Sequence, residues 1–295
     1  MTLAGTGAMS AGTGLHGEGT RHRAGIAGHA GSVEAQPRHK PSIVGRVPGG
    51  GILAVLGPGS ARPAPRLERS DSLAAAPAGR IGSVTIAAWI LLGVASVLAA
   101  FDWYAIARGL RRVEHICKPG ATLALALVAA TIDPAYSDTR TVFVLALLAS
   151  LVGDVLLMLP TDRFVAGLGS FFVAQVLYTM GFALHGGSFA DYMIGAAIVA
   201  VLVVPLCLRF VGALRRNGRE KLIVPVLAYM GAIGAMAASA IASGNAFAIV
   251  GALLFVTSDS LIAETRFVRE RPWGPVAIMV TYHLAQAGLV LSLLA

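Results

Sequence analysis

Charge is what this sequence has least of. Only 13% of its 295 residues are Asp, Glu, Lys or Arg, about half the share of a soluble domain. That leaves too little polar surface to coat a water-soluble globule, which excludes an ordinary cytoplasmic enzyme. Cysteine is scarce too. Cys117 and Cys207 allow at most one bridge, which excludes a disulfide-built secreted module. No Cys/His cluster with metal-ligand spacing, phosphate-binding Walker loop, dinucleotide fingerprint or Gly-x-Ser-x-Gly elbow is present. The sequence therefore calls for no metal and no cofactor.

What is there falls into two unequal parts. Residues 1–80 hold 16 of the 35 glycines, 7 of the 14 prolines and 9 of the 23 basic residues. They show no helical or strand period. Such a segment buries too little apolar surface to offset its ordering entropy, so we expect a disordered tail, or a stretch ahead of the natural start. From about Val84 onward the chain is a series of apolar runs, and mean hydropathy over the whole sequence is +0.74. A membrane helix needs roughly 20 apolar residues. Eight spans are predicted, at 84–102, 118–133, 141–160, 164–185, 191–210, 221–242, 246–264 and 274–295. The expected fold is all-α: a polytopic transmembrane bundle over 84–295.

The net charge of +8 fits nucleic-acid binding only if the cations share one face. They do not. Arg108, Arg111, Arg112, Lys118, Arg163, Arg209, Arg215, Arg216, Arg219, Lys221, Arg266, Arg269 and Arg271 fall in alternate loops, and the opposite loops hold Arg140 alone. Cationic loops stay cytoplasmic. We expect a multi-pass protein of the cell membrane with the basic loops inside, in contact with anionic lipid headgroups and not with nucleic acid.

An ionisable residue within a span is costly and functional by default. Two acids lie well inside predicted spans, Asp154 and Asp259. Each comes about 13 residues after its helix is predicted to begin, hence ~20 Å along. Gln175, Tyr178, Tyr229, Tyr282, His283 and Gln286 reach a similar layer, with Ser258 beside Asp259 and Lys118 opening the second helix at the cytoplasmic rim. The bland reading of one membrane Asp is helix glue paired with a neighbouring Tyr or His. Two at one depth point to a site.

A faint internal repeat supports the pairing. Asp259 follows Asp154 by 105 residues, Lys221 follows Lys118 by 103, and Arg163-Phe164 is echoed by Arg266-Phe267. Two parallel four-helix halves would each donate one Asp.

At these residues the chain resembles the YhhN-type lysoplasmalogenase family. The resemblance rests on Lys118-Pro119, Gly153-Asp154-x-x-Leu157-Met158, Phe164-x-x-Gly167-Leu168 with Phe171 and Tyr178, Gly251-Ala252-x-x-Phe255-x-x-Ser258-Asp259-Ser260, and Tyr282-x-x-x-Gln286. Many members carry a histidine where Gln175 stands. The resemblance covers about residues 84–295. It implies an eight-helix membrane enzyme that hydrolyses the vinyl ether of lysoplasmalogens, with a lysophospholipid as substrate and the two Asp as catalytic pair. Tyr178, Tyr229, Tyr282, Gln286 and Ser258 would support the pair, and Lys118 would meet a headgroup phosphate. Two other classes share these features: a proton-coupled transporter or lipid flippase, and a structural protein whose Asp residues only hold helices together.

Overall fold

The computed structural model describes residues 82–184 and 186–295. The tail 1–80 and His185, which sequence alone leaves without metal-ligand spacing, lie outside the described residues. The described chain is helical throughout, with an isolated bridge between Ser83 and Asp133 and no strand among the described residues. The helices are α1 (Ile86–Arg108), α2 (Arg111–Thr131), α3 (Ser137–Met158), α4 (Phe164–Leu184), α5 (Phe189–Arg216), α6 (Ile223–Ala242), α7 (Ala246–Ala263) and α8 (Gly274–Leu291). A π turn over Glu264–Val268 extends α7. All eight are long and apolar enough to cross a membrane. Inside a bilayer the backbone must satisfy its own polar groups, and helices do so.

The packing is that of a multi-pass membrane protein. Large apolar side chains face outward: Ile86 is 81% exposed, Val201 73% and Leu208 70%. Inward faces are small. On α1 the buried residues are Ala88, Ala95, Ala99, Asp102 and Ala105, one stripe at helical spacing. Glycine lets helices touch where it matters most. A Cβ on Gly251 would come within 2.9–3.0 Å of the α8 backbone at Leu289 and Ala285. One on Gly153, beside Asp154, would strike the Phe171 ring at 2.7 Å.

Neighbour relations repeat after four helices. α1 packs on α2 as α5 packs on α6, α2 on α3 as α6 on α7, and α3 on α4 as α7 on α8. α4 packs on α6 as α8 packs on α2. The short loops make successive helices antiparallel, so the halves run parallel, as the faint sequence repeat implied. The symmetry is imperfect: α1 also packs on α8, whereas α5 leans on the π turn after α7. There Arg209 grips Glu264 with two hydrogen bonds of 2.8 and 2.7 Å.

Two of the boundaries that differ from the predicted ones bear on the site. The first helix does not stop at residue 102. It runs to Arg108 and ends on Gly109, whose φ of 67° is the left-handed stop that favours glycine. Asp102 is thereby inside. The second helix begins at Arg111 and not at 118. The apolar run begins near residue 118, but packing against α1, α3 and α8 carries the helix back through Pro119 to Arg111. Lys118 is therefore two turns inside α2 and buried, not at the rim.

Candidate active site

Asp154 lies four residues before the end of α3, and Asp259 four before the end of α7. At 1.5 Å per residue Asp154 is ~6 Å from the end of its helix, and Asp259 ~6 Å from the π turn that carries α7 on to Val268. Both lie toward the end of the bundle with the basic loops; from the other end their depths differ, because α3 starts earlier than predicted.

Asp154 is fully buried at the meeting of α2, α3 and α8. Its Oδ2 accepts from the Thr122 hydroxyl at 2.8 Å and the Tyr282 hydroxyl at 2.8 Å. Its Oδ1 faces Lys118 Nζ at 3.3 Å. Tyr282 in turn accepts from Gln286 Nε2 at 3.2 Å, and Gln286 Oε1 accepts from the Tyr178 hydroxyl at 2.6 Å. The rings are fixed edge-on: Tyr282 by Phe171 and Phe255, with centroids 6.0 and 5.6 Å away, and Tyr178 by Phe143 at 5.0 Å.

Asp259 has a leaner shell. The Tyr229 hydroxyl donates to its Oδ2, and Gln175 Nε2 donates to that hydroxyl at 3.3 Å. No cation forms an ion pair with Asp259 among the described residues. The same motif, amide to phenol to carboxylate, thus occurs twice: Gln286–Tyr282–Asp154 and Gln175–Tyr229–Asp259. Gln175, given no role from sequence, is the amide of the second. Asp259 also lines an apolar cavity of about 40 Å³ with Leu157, Phe164, Phe171, Met230 and Phe267. Phe171 joins the two clusters, since it walls this cavity and packs on Tyr282.

The structure therefore gathers Lys118, Asp154, Tyr178, Tyr282 and Gln286 in one network, and Asp259 and Tyr229 in another. Ser258 joins neither. Its buried hydroxyl donates to the Ile278 carbonyl at 3.1 Å and ties α7 to α8. His283 accepts from Trp103 Nε1 at 3.0 Å on its Nδ1. Its Nε2 has no partner among the described residues. Sequence reasoning missed Asp102, which is fully buried with both oxygens unpartnered among the described residues. The charges of Lys118, Glu114 and Asp154 act on it. The signals were present: Gly109 as a helix stop, and the Ala88–Ala95–Ala99–Ala105 stripe that includes position 102.

The model of the YhhN family matches residues 113–293. The chain belongs to the YhhN family. The match takes in both Asp elements of this YhhN protein and every residue of the two Gln–Tyr–Asp motifs. Human lysoplasmalogenase TMEM86B (Homo sapiens) is 33% identical over 149 residues, 50% of this chain and 62% of the relative. A lysoplasmalogenase of Mycobacterium tuberculosis is 34% identical over 172 residues, 56% of this chain and 65% of the relative. Pig TMEM86B (Sus scrofa) is 31% identical over 147 residues, 50% and 61% of the two chains. The YhhN chain thus spans less than two thirds of these relatives' length. No solved structure matches it.

Proposed function

We propose that this YhhN protein is a membrane-embedded hydrolase that cleaves the vinyl-ether bond of lysoplasmalogen-like lipids, releasing a fatty aldehyde and a glycerophospho-alcohol. The observation that carries the reading is the unequal pair of carboxyls toward the basic end of the bundle, Asp154 fully buried and Asp259 half-buried. Asp154 is balanced by Lys118 and two hydroxyl donors; Asp259 has a single phenol and an apolar cavity. The names of its relatives as lysoplasmalogenases point the same way.

The chemistry needs one carboxylic acid and one carboxylate, as in paired-carboxylate glycosidases. A carboxyl without a counter-ion in a low-dielectric site favours its neutral form, whereas a neighbouring cation favours the anion. Asp259 is accordingly the proton donor. It delivers its proton to the outer alkenyl carbon, and an oxocarbenium-like cation forms at the carbon bonded to oxygen. Asp154, kept as carboxylate by Lys118, faces that cation and takes a proton from the attacking water. The hemiacetal then collapses, its carbon–oxygen bond to glycerol breaks, and proton transfer from Asp154 to the departing alkoxide leaves one proton to be returned to Asp259. Tyr229 and Tyr282 hold the two carboxyls in place, and apolar helices receive the chain. The basic loops, and the site near them, face the cytoplasm in this reading.

The test is incubation of purified protein with lysoplasmalogen and detection of free aldehyde, beside Asp154→Asn and Asp259→Asn. Each variant is expected to lose roughly 10²–10⁴-fold in kcat, measured per amount of folded protein recovered from the membrane. Full activity in either variant overturns the acid–base pair.

A further inference from the structure

With Lys118 committed to Asp154, a lipid phosphate needs other cations. They lie directly over the Asp259 cavity. At the basic end the α3–α4, α5–α6 and α7–α8 connections surround an open depression of about 870 Å³, with Arg219, Arg266 and Arg269 on its walls and Ile262 and Phe267 in its floor. A second depression of about 630 Å³ adjoins it and adds Lys221. Ile262 and Phe267 also wall the Asp259 cavity. Ile262 and Phe267 thus stand between the basic surface and the Asp259 carboxyl.

Arg266 holds that layer shut. Its Nη2 lies 2.8 Å from both carboxylate oxygens of Asp162. Its guanidinium carbon sits 4.1 Å from the centroid of the Phe164 ring. Phe164 meets Phe267 edge-on, with centroids 5.7 Å apart. These two rings occupy corresponding positions of the sequence repeat, and both line the cavity. The π turn makes the arrangement possible, directing Arg266 outward while Phe267 stays buried; such turns recur at functional sites. Asp162 is itself exposed. The Phe164 backbone N–H and the Arg266 guanidinium hold its carboxyl below the usual carboxylate range, so the pair stays ionic through neutral pH. An exposed carboxylate on an arginine guanidinium occupies a place where a phosphate binds equally well.

We propose that this basic depression is the headgroup site of a lysophospholipid, and that the lipid phosphate takes Arg266 from Asp162, frees Phe164 and opens the Asp259 cavity to the chain. The inference rests on the hydrolase reading for its ligand. Its geometry suits such a lipid: the ether bond is one glycerol unit from the phosphate, and Arg266 follows Asp259 by seven residues, ~10 Å along the helix, a gap that the two side chains narrow. Glu220 and Glu270 share the rim, so the depression carries both signs and suits a zwitterionic headgroup.

The experiment measures binding, not turnover, so that the headgroup site and the hydrolase reading fail separately. Full-length protein in nonionic detergent is titrated with a radiolabelled saturated 1-O-alkyl lysophospholipid, with the alkylglycerol of equal chain length, and with inorganic phosphate as competitor. Arg266→Gln is expected to weaken the phospholipid roughly tenfold or more and to bind the alkylglycerol at least as tightly as before, because the same change frees Phe164. Asp162→Asn is expected to tighten the phospholipid several-fold, a gain that a misfolded protein does not give. Equal weakening of both ligands by Arg266→Gln, or weaker phospholipid binding in Asp162→Asn, overturns the proposal. Displacement of the lipid by inorganic phosphate at equal concentration overturns the lipid assignment in favour of free phosphate. Intact binding without aldehyde release leaves the headgroup site standing and removes the hydrolase.

Discussion

Asp154 and Lys118 form a buried ion pair, and each is a liability without the other. Removing one partner of such a pair costs about 3–5 kcal/mol, because the remaining charge is left uncompensated. Lys118→Met is expected to lower the thermal stability of the detergent-solubilised protein by that order. Lys118→Met/Asp154→Asn should recover most of it, since no charge remains to be balanced; equal melting of the single and double variants would contradict the pairing. Asp102 predicts the opposite sign. With both oxygens unpartnered among the described residues, its carboxyl is a net burden on the fold, and Asp102→Ala is expected to raise stability by about 1–3 kcal/mol, read as a higher Tm. The two carboxyls proposed for catalysis were legible in sequence, because an acid in an apolar run has few reasons to be there. Asp102 was not, because it sits just past the most apolar part of its helix. The partners were only half legible. Tyr282 and Gln286 share one helix face, whereas Gln175 and Tyr229 come from α4 and α6, and no spacing within one chain segment reveals that they meet.

At the scale of elements, the bundle depends on close approach at a few crossings. α7 and α8 touch at Gly251 and Gly288, where a Cβ on Gly288 would lie 3.0 Å from Gly251 Cα. Gly251→Val is expected to push α8 away, at about 1–3 kcal/mol for an overpacked contact. Because Tyr282 and Gln286 ride on α8, aldehyde release should fall along with Tm. Unchanged Tm and activity would mean that the crossing yields without consequence. Helix number and order were readable from hydropathy. Helix ends were less so, since an apolar run marks where lipid contact ends and not where hydrogen bonding stops. The six residues from Trp103 to Arg108 and the seven from Arg111 to Cys117 are helical and polar or amphipathic. They carry the helices, and with them Asp102 and Lys118, beyond what a hydropathy threshold sees.

For the molecule as a whole, charge decides orientation. The basic connections and both proposed catalytic carboxyls share one end, and the cytoplasmic placement proposed above has a direct check. A single cysteine at Arg215, in a chain with Cys117 and Cys207 replaced by alanine, should react with a membrane-impermeant thiol reagent in inside-out vesicles and not in intact cells. A cysteine at Asp138, on the opposite end, should behave in reverse. Labelling of Arg215→Cys from outside would place the proposed headgroup site on the outer leaflet.

The end of the bundle away from the site has a different character. There the Gly82 N–H donates to the Leu294 carbonyl at 2.8 Å, and the Ala135 N–H donates to Leu293 at 2.9 Å. The Asn245 side chain reaches the Ser292 carbonyl at 3.0 Å. The entry to α1 and the exit from α8 are thus stitched together, with α1 already packed on α8. In spatial terms the helices form a circuit with no seam between α8 and α1. A circularly permuted gene, with Leu294 rejoined to Gly82 and the chain reopened between α4 and α5, would preserve every helix contact described above. The division of the polypeptide into a first and a second half is then a property of its gene order, while the polar layer around Asp154 and Asp259 belongs to the circuit.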